Sequence, residues 1–100
     1  MKLPVNLADI MKAKSRTAGI VRKTPIDFST TFSGLTGQKI YFKYENLQKT
    51  GSFKIRGAVN KMASLEKGQR NNGVIAASAG NHAQGVALAA AIAGIESTIV

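Results

Sequence analysis

The sequence predicts an α/β fold, made of parallel-sheet βαβ units with helices on both faces. Three observations carry that expectation. Val74-Ile75-Ala76-Ala77 is a short, uniformly apolar run of the kind seen in a strand covered on both faces. A helix-length apolar segment from Asn81 to Ala93 separates it from a second such run, Ser97–Val100. Upstream, the aromatic and branched run Ile40-Tyr41-Phe42-Lys43-Tyr44-Glu45 precedes a helical pattern from Ser52 to about Leu65. Strand, helix, strand, helix, strand is the order in which parallel sheets with crossover helices are built.

The elements follow in order. Asn6 or Asp9 opens a helix over roughly 7–18, with Leu7, Ile10 and Met11 on one face and Lys12, Lys14 and Arg16 on the other. Pro25 biases Thr24 toward extended backbone. Ser29 to Leu35 reads as a short helix stopped by Gly37. Ser52 is placed to cap the next helix, whose Ile55, Val59, Met62 and Leu65 recur about one turn apart. Asn71-Asn72-Gly73 reads as a turn. In the helix from Asn81, the run Val86–Ala93 is apolar all round and is expected to be buried, with Gly94 closing it. Asn81 reads as its N-cap, with Gln84 placed as a capping-box partner and Gly80 free to take a positive φ. Such a turn would offer free backbone N–H groups at a positive helix end, a seat for a carboxylate or phosphate.

Composition narrows the function. One hundred residues make one domain at most, and 44% hydrophobic residues are ordinary for a globular chain. Without cysteine there is neither a disulfide framework nor a thiolate metal site, which fits a cytoplasmic protein. No run is long enough to cross a bilayer, and the N-terminus lacks the apolar core of a signal peptide. The net charge of +9 invites a nucleic-acid reading. All 14 Lys and Arg fall within residues 1–70, but as singles and pairs, with no aromatic platform between them. They read better as solvated faces of a larger protein whose remainder carries the acids. Ser97–Val100 reads as the start of a buried strand with no turn after it, as in a longer chain.

Two segments carry chemistry. Thr50-Gly51-Ser52-Phe53-Lys54-Ile55-Arg56-Gly57-Ala58 sets one lysine at the mouth of a helix. Ser78-Ala79-Gly80-Asn81-His82 forms a second strand-to-helix turn about two dozen residues later. A reactive amine on one turn and an anion-cradling turn on another suit chemistry at an amino acid's α-carbon, with a cofactor held covalently on Lys54. Taken singly, Lys54 is an ordinary surface lysine, Ser78 and Asn81 are turn and cap residues, and His82 is a local hydrogen-bonding residue. No second histidine or carboxylate stands nearby for a metal. Their order and placement make the combination specific.

The segment Ser52–Ala58 resembles the cofactor lysine motif of the serine/threonine dehydratases, of the type II (tryptophan-synthase-like) pyridoxal-phosphate fold. Ala77–Ala87 is similar to the substrate and cofactor loop of its threonine-acting members, and Arg22–Pro25 and Tyr44–Gln48 also match family segments. The resemblance covers nearly the whole chain. It implies the N-terminal part of that catalytic domain, with the smaller subdomain starting at about residue 50. It implies that Lys54 holds pyridoxal 5′-phosphate as a Schiff base and, once released, takes the substrate's α-proton. Phe53 would pack on the pyridine region, Asn81 would bond the ring hydroxyl, and Ser78, Ala79, Gly80, Asn81 and His82 would grip the amino-acid carboxylate. The implied reaction is α,β-elimination of L-threonine or L-serine in a cytoplasmic homo-oligomer, dimer or tetramer, with no nucleic-acid or membrane partner. The glycine-rich phosphate loop and the pyridine-nitrogen partner of such enzymes have no counterpart in residues 1–100, so these residues alone are expected to be inactive. The short lead before the lysine motif leans toward the catabolic type rather than the biosynthetic one of isoleucine formation. Serine racemase is the rival within the fold. Racemising relatives place a serine hydroxyl where this chain has Ala79, which favours elimination. The rival from another class is a non-catalytic, basic nucleic-acid-binding fragment.

Overall fold

The computed structural model describes residues 1–100. Its core is a helix pair. Helix α3 (Lys54–Ser64) lies against α5 (Asn81–Ala93), and Ile55, Ala58, Val59 and Met62 interleave with Val86, Ala89, Ala90 and Ile95. The i, i+3, i+4, i+7 spacing on α3 places one stripe inward, as the sequence pattern predicts. Small residues on α5 allow the close approach. Ile55 and Ala90 are fully buried.

Around this pair run β3 (Val74–Ala76) and β4 (Ser97–Ile99), joined through α5 and paired in parallel, Val74 opposite Ser97 and Ala76 opposite Ile99. This is the expected βαβ unit. Gly94 closes α5 in the left-handed conformation (φ 67°). Gly73 enters β3 at φ 74°, and a Cβ there would stand 2.9 Å from the Glu96 carbonyl oxygen, so the approach of the two strands requires glycine.

The N-terminal half is a separate layer. Helix α1 (Leu7–Thr17) begins with a capping box between Asn6 and Asp9. Strand β1 (Ile26–Phe28) leads into helix α2 (Thr30–Thr36), capped by Ser29 and closed by Gly37. Strand β2 (Tyr41–Lys43) then pairs antiparallel with β1. Edge-to-face contacts of Phe28 with Tyr41 and Phe32 with Phe42, each 5.3 Å between centroids, hold this hairpin-like layer together. Short 3₁₀ turns, Glu45–Leu47 and Lys49–Gly51, connect it to α3.

Several local expectations change. The strand at 41–43 joins β1 rather than the parallel pair, where Tyr41 meets Phe28 on one face and Phe42 meets Phe32 of α2 on the other. A short helix α4 (Lys67–Asn72) precedes Gly73, started by reciprocal bonds between Glu66 and Gln69. The face of β3 carrying Ile75 is 72% exposed rather than covered, and Leu7, Ile10 and Met11 of α1 stand open. Helix α5 is buried only along its α3-facing side, with Ala91 and Ile92 exposed. These are apolar faces with no partner surface inside the chain.

Candidate active site

Helix α3 starts at Lys54, after a strained turn. Thr50 adopts φ 63°, the left-handed region that a β-branched residue rarely enters, and its Oγ1 is buried without a partner. Phe53 takes the N-cap position without a side-chain bond. Ser52 contributes through its Oγ, which accepts from the Lys54 N–H at 3.4 Å, so it steadies the first turn instead of capping the helix as the sequence predicts. The Lys54 ammonium lies 5.1 Å from the centroid of the Phe53 ring. It forms no ion pair, since the single salt bridge of the chain joins Arg56 and Glu45. Phe53 is 59% exposed, and both side chains stand on an open face.

The second turn starts from β3 and ends in α5. The Ser78 N–H donates to the Val100 carbonyl, continuing the parallel ladder. Its Oγ then accepts from the N–H groups of Gly80 and Ala83, each at 3.3 Å. Ser78, not Asn81, therefore caps α5. Asn81 is the first helical residue, Gly80 holds the N-cap position at φ −135°, and neither a capping box with Gln84 nor a positive φ at Gly80 is formed. The physical reason is reach: Ser78 sits where the chain turns off the strand, and its short hydroxyl covers the orphan N–H groups first. The Asn81 side chain is thereby left without a structural task. The N–H groups of Ala79, Asn81 and His82 have no acceptor within the chain, which leaves three donors at a helix N-terminus. Replacing Ser78 by Ala is expected to cost about 1 kcal/mol, and replacing Asn81 by Ala much less. Thermal unfolding of the two variants checks this; a larger loss at Asn81 would return the cap to that residue.

The two turns are brought together by Gly85, one turn along α5 from Asn81. A Cβ at Gly85 would stand 3.2 Å from the Ile55 nitrogen and the Lys54 carbonyl carbon, and 3.3 Å from Lys54 Cβ. The missing side chain lets α5 seat its first turns closely against the backbone that carries Lys54, and any Cβ there would press on it. A mid-helix glycine is the sequence signal for such an approach. His82 is placed elsewhere: it lines an apolar cavity of about 230 Å³ between α3, β3 and α5, together with Lys61, Met62 and Val86.

The sequence motifs Arg22–Pro25 and Tyr44–Gln48 meet behind Lys54. Gln48, almost fully buried, accepts from the Arg22 and Lys49 N–H groups through Oε1 and donates to the Arg22 carbonyl through Nε2. Glu45 accepts from Arg56 Nε and Nη2, the latter at 3.0 Å, and from the buried Thr24 hydroxyl. Chiefly the Arg56 hydrogen bonds, then that of Thr24, outweigh burial and lower the Glu45 carboxyl to about 2. The same pairing raises Arg56 above its ordinary value. Because the folded carboxyl ionises below its usual 4.5, the stabilisation is complete above that pH and is lost as pH falls toward 2. Solvent reaches the Arg56 side chain (35% exposed), so the effect is discounted to about 1–2 kcal/mol. Denaturant unfolding at pH 6 and pH 3 should show this difference largely abolished in Glu45→Gln; an unchanged pH dependence in that variant would assign it to other groups.

The residues present fit a pyridoxal-type cofactor. Gly85 seats α5 against the backbone of Lys54, the Lys54 amine is unpaired, Asn81 has a free amide, and three N–H groups at the start of α5 have no acceptor within the chain.

Comparison with known proteins agrees. A family profile described as pyridoxal-phosphate dependent enzyme matches residues 17–100. The chain is 57% identical over 96 residues to an L-threonine ammonia-lyase of Thermotoga maritima, covering 96% of this chain and 24% of that protein. It is 51% identical over 98 residues to the catabolic L-threonine dehydratase of Escherichia coli, covering 98% of this chain and 30% of that protein. Among solved structures, maize serine racemase superposes with a TM-score of 0.88 at 42% identity, over 97% of this chain and 30% of that one. The chain thus spans about a quarter to a third of the length of these relatives.

Proposed function

The chain belongs to the pyridoxal-phosphate-dependent enzymes, and from that premise we propose that the complete protein carrying it deaminates L-threonine, and L-serine, by losing the β-hydroxyl as water and then taking up one water to release ammonia, giving 2-oxobutanoate or pyruvate. The observation that carries the reading is the seating of the Ser78–His82 turn beside Lys54 through Gly85. Relatives named for threonine deamination, at 57% and 51% identity, support the substrate class.

Lys54 Nζ would hold the cofactor covalently, Phe53 would pack beside its ring, and the Asn81 amide would bond its ring hydroxyl. When bound, pyridoxal phosphate supplies an electron sink for charge developing at the substrate's α-carbon. The free N–H groups of Ala79, Asn81 and His82 would orient the substrate carboxylate, with Ser78 fixing the turn and Gly80 at the N-cap position between them. Lys54 Nζ, freed when the substrate amine takes its place, would take the α-proton. The β-hydroxyl would then take up a proton and depart as water, and hydrolysis of the eliminated product by one water would give the 2-oxo acid and ammonia. His82 faces the cavity behind the turn, so its part is through its backbone N–H.

Residues from about 50 onward form the start of the smaller subdomain, because all eight core residues lie between Ile55 and Ile95. The complete enzyme works as a cytoplasmic homo-oligomer on a small amino acid; in the chain itself, no helix is long and apolar enough to cross a membrane. The catabolic role fits the relative of that name.

Serine racemase is the alternative that the superposition with the maize enzyme favours. Ala79 separates the two. With no hydroxyl at that position, no proton returns to the α-carbon from the face opposite Lys54. Chiral analysis of serine recovered midway through turnover should find pyruvate accumulating and D-serine nearly absent. D-serine formed as fast as pyruvate would make the protein a racemase. The basic-module reading has one observation behind it: Lys14, Arg22, Lys23, Lys43 and Arg56 line an open cavity of about 360 Å³. Arg56 is already paired with Glu45, Lys43 bonds the Thr24 carbonyl, and no aromatic residue lines the cavity on which a base would stack. Elimination is the better account.

A further inference from the structure

We infer that Glu45 and Arg56 are positioning residues for Lys54: together they clamp the first turn of α3 from the side opposite the reactive amine. The inference rests on the assignment of Lys54 above.

Arg56 follows Lys54 by two residues, so the two side chains leave the helix about 200° apart. Arg56 spans both carboxylate oxygens of Glu45 in a fork, and its Nη2 also donates to the Arg22 carbonyl at 3.3 Å. Glu45 is fixed in turn by the Thr24 hydroxyl, and the Thr24 carbonyl by Lys43 Nζ. The chain N-terminal to α3 is thus tied to the first turn of the helix two residues past the lysine, and farther along α3 by the Arg16 Nη1 hydrogen bond to Asn60 Oδ1 at 3.3 Å.

The helix start needs such an anchor. Its N-cap has no side-chain bond, Ser52 Oγ reaches the Lys54 N–H only at 3.4 Å, and the turn before it contains Thr50 in the left-handed region. On the other side, α5 touches the same turn at Gly85 by contact alone. Burial of Ile55 holds the turn to α5 on that side, and the ion pair holds its other side to the N-terminal layer. A bidentate pair also fixes rotation about the helix axis, which a lysine at Arg56 could not do.

The test uses the complete protein with Glu45→Gln and Arg56→Lys. In the cofactor-free form, amide exchange of residues 54–58 is compared with that of residues 86–91. Capture of added pyridoxal 5′-phosphate on Lys54 is followed by absorbance. Each variant should speed exchange at 54–58 about tenfold, as for loss of one charge-assisted hydrogen bond, leave 86–91 unchanged, and slow capture severalfold. Exchange that rises equally in both segments, or stays unchanged at 54–58, overturns the clamp. Faster exchange at 54–58 in a protein whose unmutated form captures no cofactor on Lys54 supports the clamp and overturns the assignment of that lysine instead.

Discussion

Replacing Lys54 by alanine in the complete protein should abolish turnover and the visible absorbance of lysine-bound cofactor, while leaving the fold intact. The structure explains why the two effects separate. Lys54 is exposed, makes no ion pair, and its only side-chain contact of note is the Phe53 ring. An exposed cation–π contact is worth about 0.5–1 kcal/mol, and alanine is the better helix former. Unfolding should therefore move little. The chemistry loses both its covalent anchor and its proton acceptor, so the rate should fall by several orders of magnitude. Circular dichroism and a continuous assay of 2-oxo acid formation measure the two effects. A variant that still turns over threonine at near the original rate would refute the role of Lys54.

Gly85→Val should strike both stability and activity. The new Cβ would press on the backbone of Lys54 and Ile55 at about 3.2 Å, and these atoms lie in a helix whose Ile55 side chain is fully buried. Neither side can yield cheaply. Overpacking of this kind costs about 1–3 kcal/mol, and a branched side chain adds to it. Gly85→Ala is milder, because a gain of about 1 kcal/mol in helix propensity offsets part of the same contact. The activity loss in Gly85→Val should exceed what the lost stability explains, since displacing the amine relative to the Ser78–His82 turn misaligns the reacting atoms. Measuring the rate well below the melting temperature separates the two effects. Normal turnover by a folded Gly85→Val protein would show that the seam does not set the geometry of the site.

Much of the fold was legible because its signals are local. Asn6 with Asp9, Ser29 with Gly37, and Gly94 mark helix ends through bonds spanning a few residues, and the structure forms them. The stripe Ile55, Val59, Met62 buried as its period predicts. What escaped was non-local or too short. The pairing of β1 with β2 joins residues some fifteen apart, and β1 has three residues, too few to display a period. Helix α4, with six residues, is under two turns long, although Glu66 and Gln69 carried its start signal. The cap of α5 was assigned to Asn81 because asparagine is a strong capping residue; the sequence does not show that Ser78 reaches the same N–H groups first.

The site divides along the same line. Lys54, Phe53 and the turn Ser78–His82 stand in recognisable motifs, and Gly85 carried the signal of a mid-helix glycine. The bond between Glu45 and Arg56 crosses a 3₁₀ turn and a strained residue, outside the i, i+3 and i, i+4 spacings that sequence reading can test. The opposed orientation of His82, toward the cavity behind the turn, depends on where β3 lies and could not be read from its neighbours in the chain.

The most direct measurement is chemical. The complete protein, purified with its cofactor, is reduced with borohydride, digested, and mapped by mass spectrometry. The pyridoxyl group should appear on the peptide containing Ser52-Phe53-Lys54, on Lys54 alone among the ten lysines of this chain. A label found on another lysine, or none at all on a protein that still deaminates threonine, would contradict the account.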